Sequence, residues 1–206
     1  AELDYRSEAA NAKQFSESIE RTPLCGAVFA PPCVEACSSR RVLTSEWIYG
    51  ERLERSDAED VSKLCSVAMN SYLTMLLETG VLHADPHPGN LLRTPDGRLC
   101  ILDWGLVTSL DEGFRINYIQ HIAHLVSGYY DPVPSDLVKL DFVPEGKEEE
   151  IRNSEVVVVL ADIYSKWSGG GGAGAMDANK VFAELQGLSG KYGNLFRVPP
   201  YFFYIA

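Results

Sequence analysis

The segment Thr94-Pro95-Asp96-Gly97-Arg98 constrains this chain more than any other. It sits between the short runs Leu91-Leu92-Arg93 and Leu99-Cys100-Ile101-Leu102. Proline presets φ for a turn and glycine tolerates positive φ, so the pentapeptide reads as the turn of a β-hairpin. A hairpin brings its two outer ends together. Asn90 lies just before the hairpin and Asp103 just after it, so both are expected at one end.

Asp85 precedes Asn90 by five residues, and Asn90 precedes Asp103 by thirteen. This order, His-x-Asp, four residues, Asn, hairpin, Asp-aromatic-Gly, is that of a kinase catalytic loop and metal loop. The residue types suit phosphoryl transfer. Charge on the γ-phosphate oxygens of ATP must be neutralised by hard cations such as Mg²⁺. Hard cations prefer oxygen ligands, and Asp103 with Asn90 offers a carboxylate and an amide oxygen. Asp85 is then expected beside the attacking oxygen, as proton acceptor or orienting group. Gly105 allows a sharp turn after the ligand. His83, Asp85 and His87 also form a possible zinc-hydrolase set, but an incomplete one. Two upstream pieces agree in order. Glu8 lies on the first predicted helix, where a kinase carries the Glu that pairs with its phosphate-gripping Lys. Glu46 and Ile48 end a predicted strand at the position of a kinase hinge, with their backbones expected to face the adenine edge.

Lys and Arg number 18 against 29 Asp and Glu, a formal net charge of −11. Such a surface repels phosphate backbones, so nucleic acid is not an expected partner. A nucleotide remains possible where a metal ion bridges the like charges. No apolar run approaches the roughly 18–20 residues needed to span a bilayer. Five cysteines in a chain of this size are expected to be reduced. The chain opens at Ala1 and stops within Tyr201-Phe202-Phe203-Tyr204-Ile205-Ala206, and is expected to be a piece of a longer protein.

Residues 2–20 read as a helix, Ala27-Val28-Phe29 as a short strand and 41–48 as a longer one. A long helix follows, capped by Ser56 or Asp57. Val61, Leu64, Cys65, Ala68, Met69, Tyr72, Leu73 and Leu76 form its apolar face, and Gly80 its left-handed exit. From about Asp111 the chain looks helical, with periodic stretches at 114–126 and 148–167. The β-branched run at 156–159 leaves strand open there. The Gly-rich stretch 168–176 reads as a flexible linker. The fold class is α+β, mainly α. A partial N-lobe is expected over 1–48 and a helical C-lobe over 49–206.

The segments Glu2-Leu3-Asp4-Tyr5-Arg6-Ser7-Glu8-Ala9, His83-Ala84-Asp85-Pro86-His87-Pro88-Gly89-Asn90 and Asp103-Trp104-Gly105 resemble the UbiB/ADCK family of atypical kinases. The likeness covers most of residues 1–130 and continues more weakly to Phe196-Arg197-Val198-Pro199-Pro200-Tyr201. Glu46-Trp47-Ile48, the 94–97 turn and the Arg-Val-Pro-Pro-Tyr ending are similar to the plastid branch, whose members associate with plastoglobules and thylakoids. The resemblance implies a protein-kinase-like fold, here a C-terminal lobe plus the helix-C region with a short β-hairpin at the active site. It implies an ATP-binding ATPase or small-molecule kinase in prenyl-quinone or tocopherol metabolism. A prenyl-lipid or quinone-related ligand and peripheral membrane or plastoglobule association come with it. Carried over, Asn90 and Asp103 hold Mg²⁺, Asp85 is the catalytic-loop Asp, and Glu8 the ion-pair Glu. Glu2 and Asp4 match a Glu-x-Asp motif, and His83, His87 and Gly105 complete the family pattern. Trp104 replaces the usual Phe. No nucleotide loop, strand Lys or Lys-x-Gly-Gln segment precedes Glu8, and no Ala-Pro-Glu follows Asp103. A pseudokinase-like regulatory module without transfer activity is the alternative reading.

Overall fold

The computed structural model describes residues 4–85, 87–168 and 178–199. Glu2, the linker residues 169–176 and the end at 200–206 lie outside the described residues. The chain forms two compact units that divide between Leu110 and Asp111. The expected lobe boundary after Ile48 falls within the first of them. Helices dominate, with two small sheets.

In the first unit, α1 spans Tyr5–Ile19 and buries Ala12, Phe15 and Ile19. Its N-cap is Asp4, whose carboxylate accepts the Arg6 N–H at 3.2 Å. One sheet runs in the order β1-β5-β4-β2. In it β1 (Val28–Phe29) pairs parallel with β5 (Leu99–Ile101), and β2 (Glu51–Arg52) pairs antiparallel with β4 (Leu91–Arg93). The strands β4 and β5 flank the 94–98 turn and pair antiparallel, Leu91 facing Ile101. That turn is closed by Thr94 N–H to the Arg98 carbonyl at 3.0 Å, with Gly97 at φ 76°. A second sheet pairs β3 (Val81–His83) antiparallel with β6 (Val107–Ser109).

The region 41–48 is not the strand its β-branched residues predict. It makes only isolated bridges, Cys33 to Ser45 and Ser39 to Val42. Local hydroxyls take over its backbone groups. Ser38 Oγ accepts the Thr44 N–H at 3.0 Å, and Thr44 Oγ1 donates to the Cys37 carbonyl at 2.8 Å. Such side-chain bonds compete with ladder bonds.

The long helix α2 covers Val61–Thr74 and continues as a π-helical turn, Met75–Thr79, that Gly80 ends at φ 72°. Its cap position is Asp60, not Ser56 or Asp57. The Asp60 carboxylate instead accepts Arg93 Nε at 2.6 Å. The buried stripe is Leu64, Ala68, Ser71 and Met75, whereas Cys65, Met69 and Leu73 are exposed. The apolar run is wider than the face the helix buries, so hydrophobicity alone places that face one step off.

In the second unit, Asp111 caps α3 (Glu112–Val126) by accepting the Phe114 N–H at 2.8 Å. Then follow α4 (Val133–Lys139), α5 (Glu148–Arg152), α6 (Glu155–Ser168) and α7 (Ala178–Lys191). The single helix expected over 148–167 is broken at Asn153-Ser154, where Ser154 Oγ accepts the Val156 N–H at 3.2 Å. The valine run 156–159 is helical because Val156 and Leu160, one turn apart, both enter the core. Leu137, Leu140, Ile151 and Phe196 share that core.

His121 and His124, one turn apart on α3, both face buried Asp136 of α4. Their Nδ1 atoms lie 3.4 and 2.7 Å from the same Oδ2. Burial pulls the His121 imidazole below its ordinary value of 6.5, and the charge of Asp136 offsets that only in part. The folded state therefore favours neutral His121. The stability this confers is full above the unfolded value and is lost as pH falls below it. Urea unfolding at pH 7.5 and 5.5 should show the protein losing stability at the lower pH. The loss should shrink in His121→Gln, and an equal loss in the variant would contradict the assignment.

Candidate active site

Two β pairs set the site. Asp85 follows β3 and Asp103 precedes β6, so antiparallel pairing puts both loops at one end of that sheet. Asn90 precedes β4 and Asp103 follows β5, which joins Asn90 to the same end. Backbone bonds tighten the junction. Leu102 donates to the Asn90 carbonyl at 2.8 Å, and Ala84 to the Leu106 carbonyl at 2.9 Å. The structure thus brings the loops of all three polar residues together.

His83 lies between the acidic loops and is 1% exposed. Its Nδ1 accepts the Asp85 N–H at 3.2 Å, so its proton belongs on Nε2, which faces the Leu102 carbonyl at 3.4 Å. His87 is exposed and caps the short turn Pro88–Asn90, its Nδ1 accepting the Gly89 N–H at 3.0 Å. Among the described residues no three His, Cys, Asp or Glu side chains are placed to share a metal ion. This overturns the zinc set His83, Asp85, His87, whose ring nitrogens already serve the loop backbone. All five cysteines are free.

Asp103 is exposed and takes φ 56°, a region that side-chain-bearing residues rarely adopt. Gly105 N–H donates to its Oδ1 at 3.2 Å. A Cβ on Gly105 would stand 3.3 Å from Asp103 Oδ1 and 3.6 Å from Glu8 Oε2, so glycine leaves both carboxylates their room. Glu8 is half-buried. Burial first, and then the charge of Asp103, push its carboxyl above the ordinary range. Tyr72 on α2 is pushed up to about 12 by burial and by the charge of Asp85.

Trp104 is 2% exposed, and its indole N–H donates to the Ile101 carbonyl at 2.9 Å. It stacks on Phe15 at 4.3 Å and meets His83 edge-on at 4.9 Å. Tyr72 closes the column at 6.1 Å from His83. Asn11 Nδ2 donates to the Trp104 carbonyl at 2.9 Å. The sequence reading did not single out Asn11, Phe15 or Tyr72 as site residues. The available signal was helical phase, since Asn11 and Phe15 lie three and seven residues beyond Glu8.

Asp4 caps α1, and its bond to the Arg6 guanidinium holds its carboxyl at about 2. Glu46 N–H donates to the Pro32 carbonyl at 2.9 Å. Glu46 and Ile48 line a groove of about 430 Å³ with Phe29, Pro95 and Arg98. A groove of about 640 Å³ lies on the other face of α1, against Pro31, Cys33 and Glu35.

The first 135 residues match the ABC1 atypical kinase-like domain. This chain therefore belongs to the ABC1 atypical kinase-like family, also called UbiB. It is 34% identical over 168 residues to the chloroplastic protein ACTIVITY OF BC1 COMPLEX KINASE 3 of Arabidopsis thaliana, covering 79% of this chain and 23% of that protein. A chloroplastic aarF domain-containing protein kinase of Arabidopsis thaliana is 34% identical over 208 residues, covering 98% of this chain and 27% of that protein. Among solved structures, that of Rv3197–erythromycin from Mycobacterium tuberculosis superposes with a TM-score of 0.59 at 26% identity. The overlap covers 82% of this chain and 41% of that one. The chain spans roughly a quarter of the length of these curated relatives.

The aromatic column anchors the loop of Asp103. Trp104→Ala should destabilise the protein by about 3–5 kcal/mol, as for a buried aromatic truncation. Trp104→Phe should keep the stack, lose the indole bond and cost about 1 kcal/mol. Equal costs in chemical denaturation would rule out the stack as the main term.

Proposed function

We propose that this chain carries the catalytic and metal loops of an atypical kinase or ATPase that binds Mg²⁺–ATP. The observation that supports it most is the convergence of Asp85, Asn90 and Asp103 at the common end of the β3–β6 and β4–β5 pairs. The donor set fits Mg²⁺. It offers one carboxylate and one amide oxygen, with no thiolate or imidazole, and leaves the other positions to phosphate and water. Asn90 and Asp103 would hold the ion, which supplies neutralisation of the phosphate charge. Asp85 accepts or orients the proton of the attacking hydroxyl or water. His83 fixes Asp85 by taking its N–H. Glu46 and Ile48 would offer backbone groups to adenine. Glu2 and Asp4 belong to the family motif at the start of α1.

A regulatory nucleotide-binding module without transfer is the second reading. The chloroplastic relatives support a plastid location. Prenyl-quinone or tocopherol metabolism, a prenyl-lipid ligand and plastoglobule association are carried by family likeness. No helix among the described residues is long and apolar enough to cross a membrane.

Calorimetric titration of ATP into the protein, with and without Mg²⁺, tests the proposal. Binding should be tighter with the cation, and Asp103→Asn should weaken the cation-supported binding by about tenfold or more. Binding indifferent to both Mg²⁺ and the substitution would sink it.

A further inference from the structure

One stripe of α1 packs on a single residue of the metal loop. Glu8, Asn11 and Phe15 lie on one face of the helix. Asn11 Nδ2 donates to the Trp104 carbonyl at 2.9 Å. Phe15 stacks on the indole at 4.3 Å. The Trp104 N–H belongs to the peptide plane that joins it to Asp103. Its carbonyl belongs to the plane that joins it to Gly105. Asn11 holds the second plane and the Phe15 stack holds the ring, and together they constrain the exit direction of Asp103.

That direction needs holding. Asp103 sits at φ 56°, a strained backbone angle that persists only where the surroundings impose it. Asn11 is also out of place by helix propensity, since asparagine is among the weaker formers in a helix interior. A half-buried amide on an inward face needs a partner, and the Trp104 carbonyl is that partner.

We propose that Asn11 is a positioning residue for the metal loop, its side-chain amide locking the Trp104–Gly105 peptide so that the Asp103 carboxylate is held in its cation-binding direction. The metal part of this inference rests on the proposed reading of Asp103 as a ligand. Asn11 touches neither nucleotide nor metal. Its loss lets Asp103 relax toward ordinary backbone angles and raises the Mg²⁺ concentration that ATP binding needs. ATP binding without Mg²⁺ does not change.

The test compares Asn11→Leu, which removes the donor at similar size, with Asn11→Gln, which keeps a donor on a longer arm. Amide hydrogen exchange of Trp104 and Gly105 reads the lock directly. In Asn11→Leu their protection should fall by about tenfold, the loss expected for one hydrogen bond. The Mg²⁺ midpoint for ATP binding should rise several-fold while metal-free ATP binding holds, and Asn11→Gln should recover part of both. A purely structural role would instead lower the unfolding midpoint and both binding modes in parallel, which would overturn the proposal. Unchanged exchange in Asn11→Leu would also overturn it, as would lost protection with an unmoved Mg²⁺ midpoint. If the unsubstituted protein binds no Mg²⁺–ATP, the reading of Asp103 as a ligand fails. The exchange data then uphold or overturn the lock without it.

Discussion

The site depends on one geometric constraint, the closure of β4 onto β5 through the 94–98 turn. Without it, Asn90 and Asp103 would be separated by twelve intervening residues of chain. With it, they meet across a single backbone bond from Leu102 to Asn90. Thr94 holds the closure through its own backbone and hydroxyl, both of which bond Arg98. Gly97 supplies the positive φ the turn requires. The β3–β6 pair adds Asp85 by the same device, two antiparallel strands whose outer ends open on one side.

Convergence concentrates negative charge. Asp85, Asp103 and Glu8 all serve one end of the first unit, in a chain whose net charge is −11. The structure answers this in two ways. Burial and the charge of Asp103 raise Glu8 above its usual range, so it resists ionisation more than a free glutamate does. Asp103 stays exposed, where water or a cation can offset its charge. An exposed carboxylate keeps its charge open to solvent, whereas one under two imidazoles does not. That contrast distinguishes Asp103 from Asp136, whose carboxylate is buried under two imidazoles.

Much of this was legible in residue order. The turn is written in Pro-Asp-Gly, α1 in its periodicity, and the spacing of Asp85, Asn90 and Asp103 in the chain itself. The rest depends on tertiary facts that periodicity does not carry. Residues 41–48 have strand composition, but the Ser38 hydroxyl takes the Thr44 N–H. Asp60 could not be identified at the start of α2, because its carboxylate serves Arg93, thirty-three residues away. β2 and β6 are short, and each gains meaning only from the strand beside it. Asn11 was invisible because its partner is a carbonyl ninety-three residues distant.

The strands around the site are only two or three residues long, so ladder hydrogen bonds alone cannot hold its atoms in register. The precision comes instead from side chains that bond backbone. His83 holds the Asp85 N–H, the Trp104 indole holds the Ile101 carbonyl, and Asp103 takes the Gly105 N–H. Each of these bonds joins a loop to itself or to its neighbour. The contacts from α1 differ, because they tie the loop to a helix of fifteen residues, the stiffest element near it. Any displacement of α1 must therefore move Trp104 first, and Asp103 with it. In a site assembled from such short strands, the helix is the element that gives the Asp103 loop a fixed frame.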